Sequence, residues 1–122
     1  MPSQALATFI RSTFRSVWAL ELLLLIAGEG ARSWSQAELV AALRASELIV
    51  ARAIEELAAA GLVLIEQDMR VRFGPVSDDL RDMTAMTGAL YARSPDKIRR
   101  MIVSAGTDGL TAFSDAFRIR KD

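Results

Sequence analysis

From position 3 to about position 27, apolar residues recur at helical intervals, with Phe9, Phe14, Val17, Trp18, Leu22 and Ile26 marking the repeat. Good helix formers dominate and no proline follows Pro2 within this stretch, so the spacing predicts either one long helix or two joined near Ser12 and Thr13. Between Val17 and Ile26 apolar positions cover nearly every side, which requires packing from several directions and marks a central core helix. Gly28 and Gly30 close it, because glycine takes the left-handed conformation that ends helices.

Ser35 and Glu38 stand in the S-x-x-E spacing of a capping box, where each side chain satisfies a free amide at a helix start. A helix from Gln36 to about Leu43 is expected, with Leu39, Val40 and Leu43 on one edge. Trp34 just before the cap fits either a short strand or a hydrophobic staple. Ala45 and Ser46 form the turn, Ser46 caps the next helix, and Val50, Ile54 and Leu57 repeat along it until Gly61. Two short branched stretches, Leu62 to Glu66 and Val71 to Phe73, flank polar residues and predict a small hairpin.

Gly74 and Pro75 end the hairpin, and Ser77 with Asp78 and Asp79 then starts another helix, carrying Leu80, Met83, Leu90 and Tyr91. Ser94 and Pro95 open a further helix through about Ser104, proline being tolerated at a first helical position. After Gly106 and Gly109, Leu110, Phe113 and Phe117 form the apolar stripe of a short amphipathic segment. The expected fold is mainly α with a small β hairpin, as a single domain over 1–122 with a core at about 14–75 and a C-terminal helical extension at about 77–118.

The chain of 122 residues is long enough to bury roughly two-thirds of its unfolded surface. It contains neither cysteine nor histidine, which excludes disulfides, thiol nucleophiles and imidazole or thiolate metal sites. No phosphate-binding, dinucleotide, nucleophile-elbow or zinc-protease motif occurs, so neither catalysis nor a cofactor is expected. Asp78, Asp79 and Asp82 are the one carboxylate cluster, and capping explains them more simply than a metal. The longest apolar run, around 19–27, is broken by Glu21 and falls short of the about 20 residues a bilayer needs. With no leader pattern at its start, the chain is expected to be cytoplasmic and to meet no membrane.

The block SQAELVAALRASELIVARAIEELAAAGLVLIEQDMRVRF, from Ser35 to Phe73, resembles winged helix-turn-helix transcription regulators of the MarR-like and related bacterial kinds. The most specific part is AIEELAAAGLV, similar to the L-x-x-x-G-L-[IV] exit from the recognition helix into the wing, and the whole block covers about a third of the chain. The resemblance implies a dimeric regulator of double-stranded DNA, with a winged core, extra N- and C-terminal helices, and the second helix of the motif in the major groove. Winged helices also serve as protein-binding modules, so an adaptor is the other reading.

Carried onto this chain, the resemblance places Ser46, Glu47, Ile49 and Arg52 at base edges and Arg44, Arg70 and Arg72 at phosphates, with Arg32 a further candidate. Electrostatics pull the other way: total charge is zero, and positions 46–69 hold one basic residue, Arg52, against five acidic ones. The arginines can equally be solvated partners of Glu66 or Asp68. Leu48 and Ile49 fit either packing or an exposed protein-binding patch. Positions 93–122 carry seven basic and four acidic residues, a face for DNA, for a second subunit or simply for water. Phe9, Phe14 and Trp18 near the start and Leu110, Phe113 and Phe117 near the end are the candidates for a homodimer surface, unless they complete the core of one chain.

Overall fold

The computed structural model describes residues 3–105, and within them the chain is mainly helical with one two-stranded antiparallel hairpin. Where the apolar repeat allowed one helix or two, there are two: α1 (Gln4–Thr13) and α2 (Val17–Gly28). The chain is extended at Phe14 and Ser16, and the Ser16 hydroxyl accepts from the Ala19 amide at 3.2 Å, so a serine cap restarts the helix.

Helix α2 is the centre of the molecule, with Ala19, Leu20, Leu22, Leu23 and Ile26 wholly buried. It packs against the helix at 47–59 above all, and also against the helix at 36–43, the hairpin and the helix at 78–93. Glu21, the one charged residue in α2, lies at the edge of this packing and accepts a hydrogen bond from the Tyr91 hydroxyl at 3.1 Å. That acid is therefore satisfied without interrupting the core.

Both halves of the capping box form at α3 (Gln36–Leu43): the Glu38 amide donates to Ser35 Oγ at 3.1 Å and the Ser35 amide to Glu38 Oε1 at 2.8 Å. Arg44 then takes the left-handed conformation at φ 55°, and Ser46 caps α4 (Glu47–Ala59). Helix α4 ends as glycine-closed helices do, with Leu62 N–H on the Leu57 carbonyl and Gly61 N–H on the Ala58 carbonyl, both at 3.0 Å. Gly61 sits at φ 78°, and a Cβ there would lie 2.9 Å from Val76, so conformation and space both require glycine.

The hairpin pairs β1 (Val63–Ile65) with β2 (Val71–Phe73), Leu64 facing Arg72. It is shorter than the sequence pattern suggested because Leu62 is engaged in closing α4 and Glu66 in the loop, where its amide donates to the Arg70 carbonyl at 2.7 Å. Trp34 resolves as a strand residue: it exchanges two hydrogen bonds of 2.8 Å with Val71 and is buried. Ser77 caps α5 (Asp78–Arg93), and a sixth helix, α6, covers 95–105 with Ile98, Met101 and Ile102 buried. Thr84 and Thr87 are the polar residues of this core, each returning its hydroxyl to a carbonyl of the preceding turn, Leu80 at 2.8 Å and Met83 at 2.7 Å. Among the described residues no helix is long and apolar enough to cross a membrane.

Candidate functional site

Helix α4 divides cleanly into two faces. Val50, Ala53, Ile54 and Leu57 are buried, while Glu47, Leu48, Arg52 and Glu55 are exposed. Its N-terminus lies beside that of α3, since Gln36 Nε2 donates to the Glu47 carbonyl at 3.3 Å. The loop of the hairpin reaches the same end, because Arg70 of that loop donates to the Ser33 carbonyl at 2.8 Å and to Glu38 Oε1 at 3.1 Å. Three chain segments thus meet at one edge around the start of α3: that helix start, the start of α4 and the hairpin loop, with the partial positive charge of two helix N-termini.

Glu38 ties that edge together. Besides its capping bond, it takes Arg70 from the hairpin and Arg32 at 3.0 Å, and Arg32 also meets Glu29 at 3.4 Å and stacks over the Trp34 ring at 3.5 Å. Ser33 adds a hydroxyl hydrogen bond to the Glu66 carboxylate. The backbone amide of Ser35, and then the Arg32 guanidinium, hold the Glu38 carboxyl down from its ordinary 4.5 to about 2. A depressed carboxyl stabilises the fold above its unfolded pKa and loses that contribution as pH falls toward its folded one. The stability difference between the wild type and Glu38→Gln is therefore expected to be full above about pH 4.5 and to narrow toward pH 2, as read by urea melts across that range. A constant gap would show that the carboxylate's charge has no part in joining hairpin and helix.

The structure sorts the residues singled out from sequence. Arg44 and Arg52 are exposed and Arg72 is half-buried on β2, and none of the three forms an ion pair among the described residues. The guanidinium groups of Arg70 and Arg32 are engaged, but with Glu38 rather than with Glu66 or Asp68 across the hairpin; only the Arg70 backbone amide meets Asp68, at 3.2 Å. Ser46 accepts from the Ile49 amide at 3.1 Å, and Glu47 is exposed. Ile49 is half-buried, whereas Leu48 is 60% exposed. The role of Glu38 as a hub was missed because a capping glutamate looks locally complete, and nothing in spacing reveals which distant arginines share it.

The proposed dimer residues require a correction. Phe9 and Phe14 are buried against each other edge to face, with ring centres 5.8 Å apart, so they complete the core of one chain instead of offering a surface to another. Trp18 is half-buried, and Leu110, Phe113 and Phe117 lie outside the described residues. Comparison of the chain with protein-family models, with curated proteins and with solved structures returns no match.

Proposed function

We propose that the chain is a DNA-binding transcriptional regulator of the winged helix-turn-helix kind, working as a homodimer on double-stranded DNA. The observation that carries this reading is the shared edge, where the exposed start of α4, the start of α3 and the hairpin tip stand together. In a winged helix these parts enter the major groove, hold a phosphate and reach the adjacent backbone, respectively. Arg52 and Ser46 are the base-reading candidates, and Arg44 and Arg72 the phosphate contacts. Arg70 acts indirectly, holding the hairpin at the edge through Glu38.

Three arginines without an ion pair among the described residues, and several nearby acids, make a weak electrostatic grip. With the two phosphate contacts of Arg44 and Arg72 made per chain, the logarithm of affinity should fall with the logarithm of salt at a slope of about −2 per chain, far shallower than for strongly basic binders. Gel-shift titration against the chain's own promoter region is expected to show a complex at about 50 mM salt that weakens gradually above it. Absence of any complex at that salt sinks the proposal.

A second reading, a protein-binding adaptor, draws on the exposed Leu48 flanked by Glu47, an apolar and acidic combination unusual for a DNA-facing helix. Leu48→Arg separates the two. It adds a cation where DNA would lie and so preserves or raises DNA affinity, whereas it abolishes an apolar protein contact.

A further inference from the structure

Two open depressions adjoin at the end of α1, sharing Ser12 and Arg15 in their walls. The first, of about 370 Å³, reaches Arg11 on one side and Ile102 and Ala105 of α6 on the other. The second, of about 440 Å³, reaches Glu55, Glu56, Ala59 and Ala60 at the end of α4. Together they make a trough whose charges follow a fixed order away from Ala105: Arg11 borders the first depression alone, Arg15 both, and Glu55 and Glu56 the second alone. None of these four is in an ion pair among the described residues. The described residues end at Ala105, in the wall of the trough itself, with positions 106–122 still to place. Along that segment the charges come in the complementary order: Asp108 first, Asp115 midway, then Arg118, Arg120 and Lys121 ahead of Asp122. Even at the compact helical rise of about 1.5 Å per residue, positions 106–117 span about 18 Å, against a helix width of about 10 Å, so the segment is long enough to pass the end of α1 and bring Arg118 to Glu55.

We propose that residues 106–122 lie back along this trough in their own chain, with Asp108 toward Arg11, Asp115 toward Arg15 and the basic cluster 118–121 on Glu55 and Glu56. A partner of one sign would meet like charge at one end of the trough, whereas a segment that is acidic first and basic last matches it throughout. Because this segment starts in the wall of the trough, its direction is set and the meeting is intramolecular, at the high effective concentration a short tether gives. Leu110, Phe113 and Phe117 then find cover over Ala59, Ala60 and Ala105 and are not spent on a surface shared with a second chain. Exposed ion pairs are weak singly and screened by salt, so the contact is held by their number and by the apolar cover together. It occupies the end of α4 remote from Ser46, leaves the edge at the start of α3 open, and does not rest on the DNA-binding reading.

The chain contains no cysteine, so an introduced pair reports proximity without interference. In the full chain, Ala59→Cys with Ala116→Cys is expected to form a disulfide within one chain under mild oxidation in dilute solution, followed on non-reducing gels. It should form at least about tenfold faster than the pair Gln67→Cys with Ala116→Cys, whose first member lies in the hairpin loop near the start of α3. Adding Glu55→Lys and Glu56→Gln to the first pair should slow the bond by about tenfold, the worth of two exposed ion pairs. The new lysine lies toward the carbonyl end of α4, where a cation suits the helix, so the fold is kept. Adding Arg118→Glu and Arg120→Glu to that variant should bring the rate back, a rescue that a merely structural effect of the first changes would not give. Equal rates for the two cysteine pairs, a bond formed between chains instead of within one, no slowing in the charge variant, or an exchange of charges that restores nothing would each overturn the proposal.

Discussion

Replacing Leu57 by alanine is expected to destabilise the protein by about 2–5 kcal/mol, the range for emptying a fully buried leucine site. Leu57 has no exposed surface; it lies on the face of α4 that packs on the core, and its carbonyl accepts the Leu62 amide that closes the helix. Set against a total stability of about 5–15 kcal/mol for a domain, the loss is a large share and should move the urea midpoint far down at unchanged slope. Leu48→Ala is the internal control. It removes the same atoms from the same helix at a position 60% exposed, and its effect should stay within about 0.5 kcal/mol. Equal losses from the two would mean that α4 does not have the inner and outer faces on which the proposed function depends.

The second large effect concerns the outer face. Arg52→Glu is expected to weaken DNA binding by roughly tenfold to a hundredfold, equivalent to about 1–3 kcal/mol, with little change in melting midpoint. Arg52 is exposed and unpaired among the described residues, although Glu55 and Glu56 lie three and four positions on. Reversing its charge removes the one basic residue of α4 and leaves a helix surface wholly acidic at the point proposed to meet phosphates and bases. Unaltered affinity would place the DNA contact elsewhere on the molecule, whatever the outcome at low salt.

Much of the fold could be read along the chain because its signals are local. Serines at 35, 46 and 77 cap helices through amides three residues on, and Gly61 closes α4 through bonds within one turn. The repeat of Val50, Ile54 and Leu57 fixes which side of α4 faces inward, and all three are buried. Thr84 and Thr87 escaped that pattern, since a threonine that returns its hydroxyl to its own helix can be buried as an apolar residue would be.

The candidate site was only half legible. Exposure of Arg52 follows from the helical period, whereas Leu48 fitted packing as well as exposure, and the pairing of Arg70 and Arg32 with Glu38 joins positions separated by 32 and 6 residues. Likewise the aromatic pair Phe9 and Phe14 gave no sign of whether it faced a partner or the chain's own interior, for an apolar stripe specifies that it must be covered and not by what.

Caps, helical periods and turn residues, all acting within a few positions, determined the helices from Gln36 onward and the existence of the hairpin, and those were present in the order of amino acids alone. Which arginines share Glu38, and which aromatic side chains were enclosed, depended on how the helices pack and on the hairpin folding back to α3. Charges and rings act over several ångströms through space in any direction, and only the packed chain sets those distances.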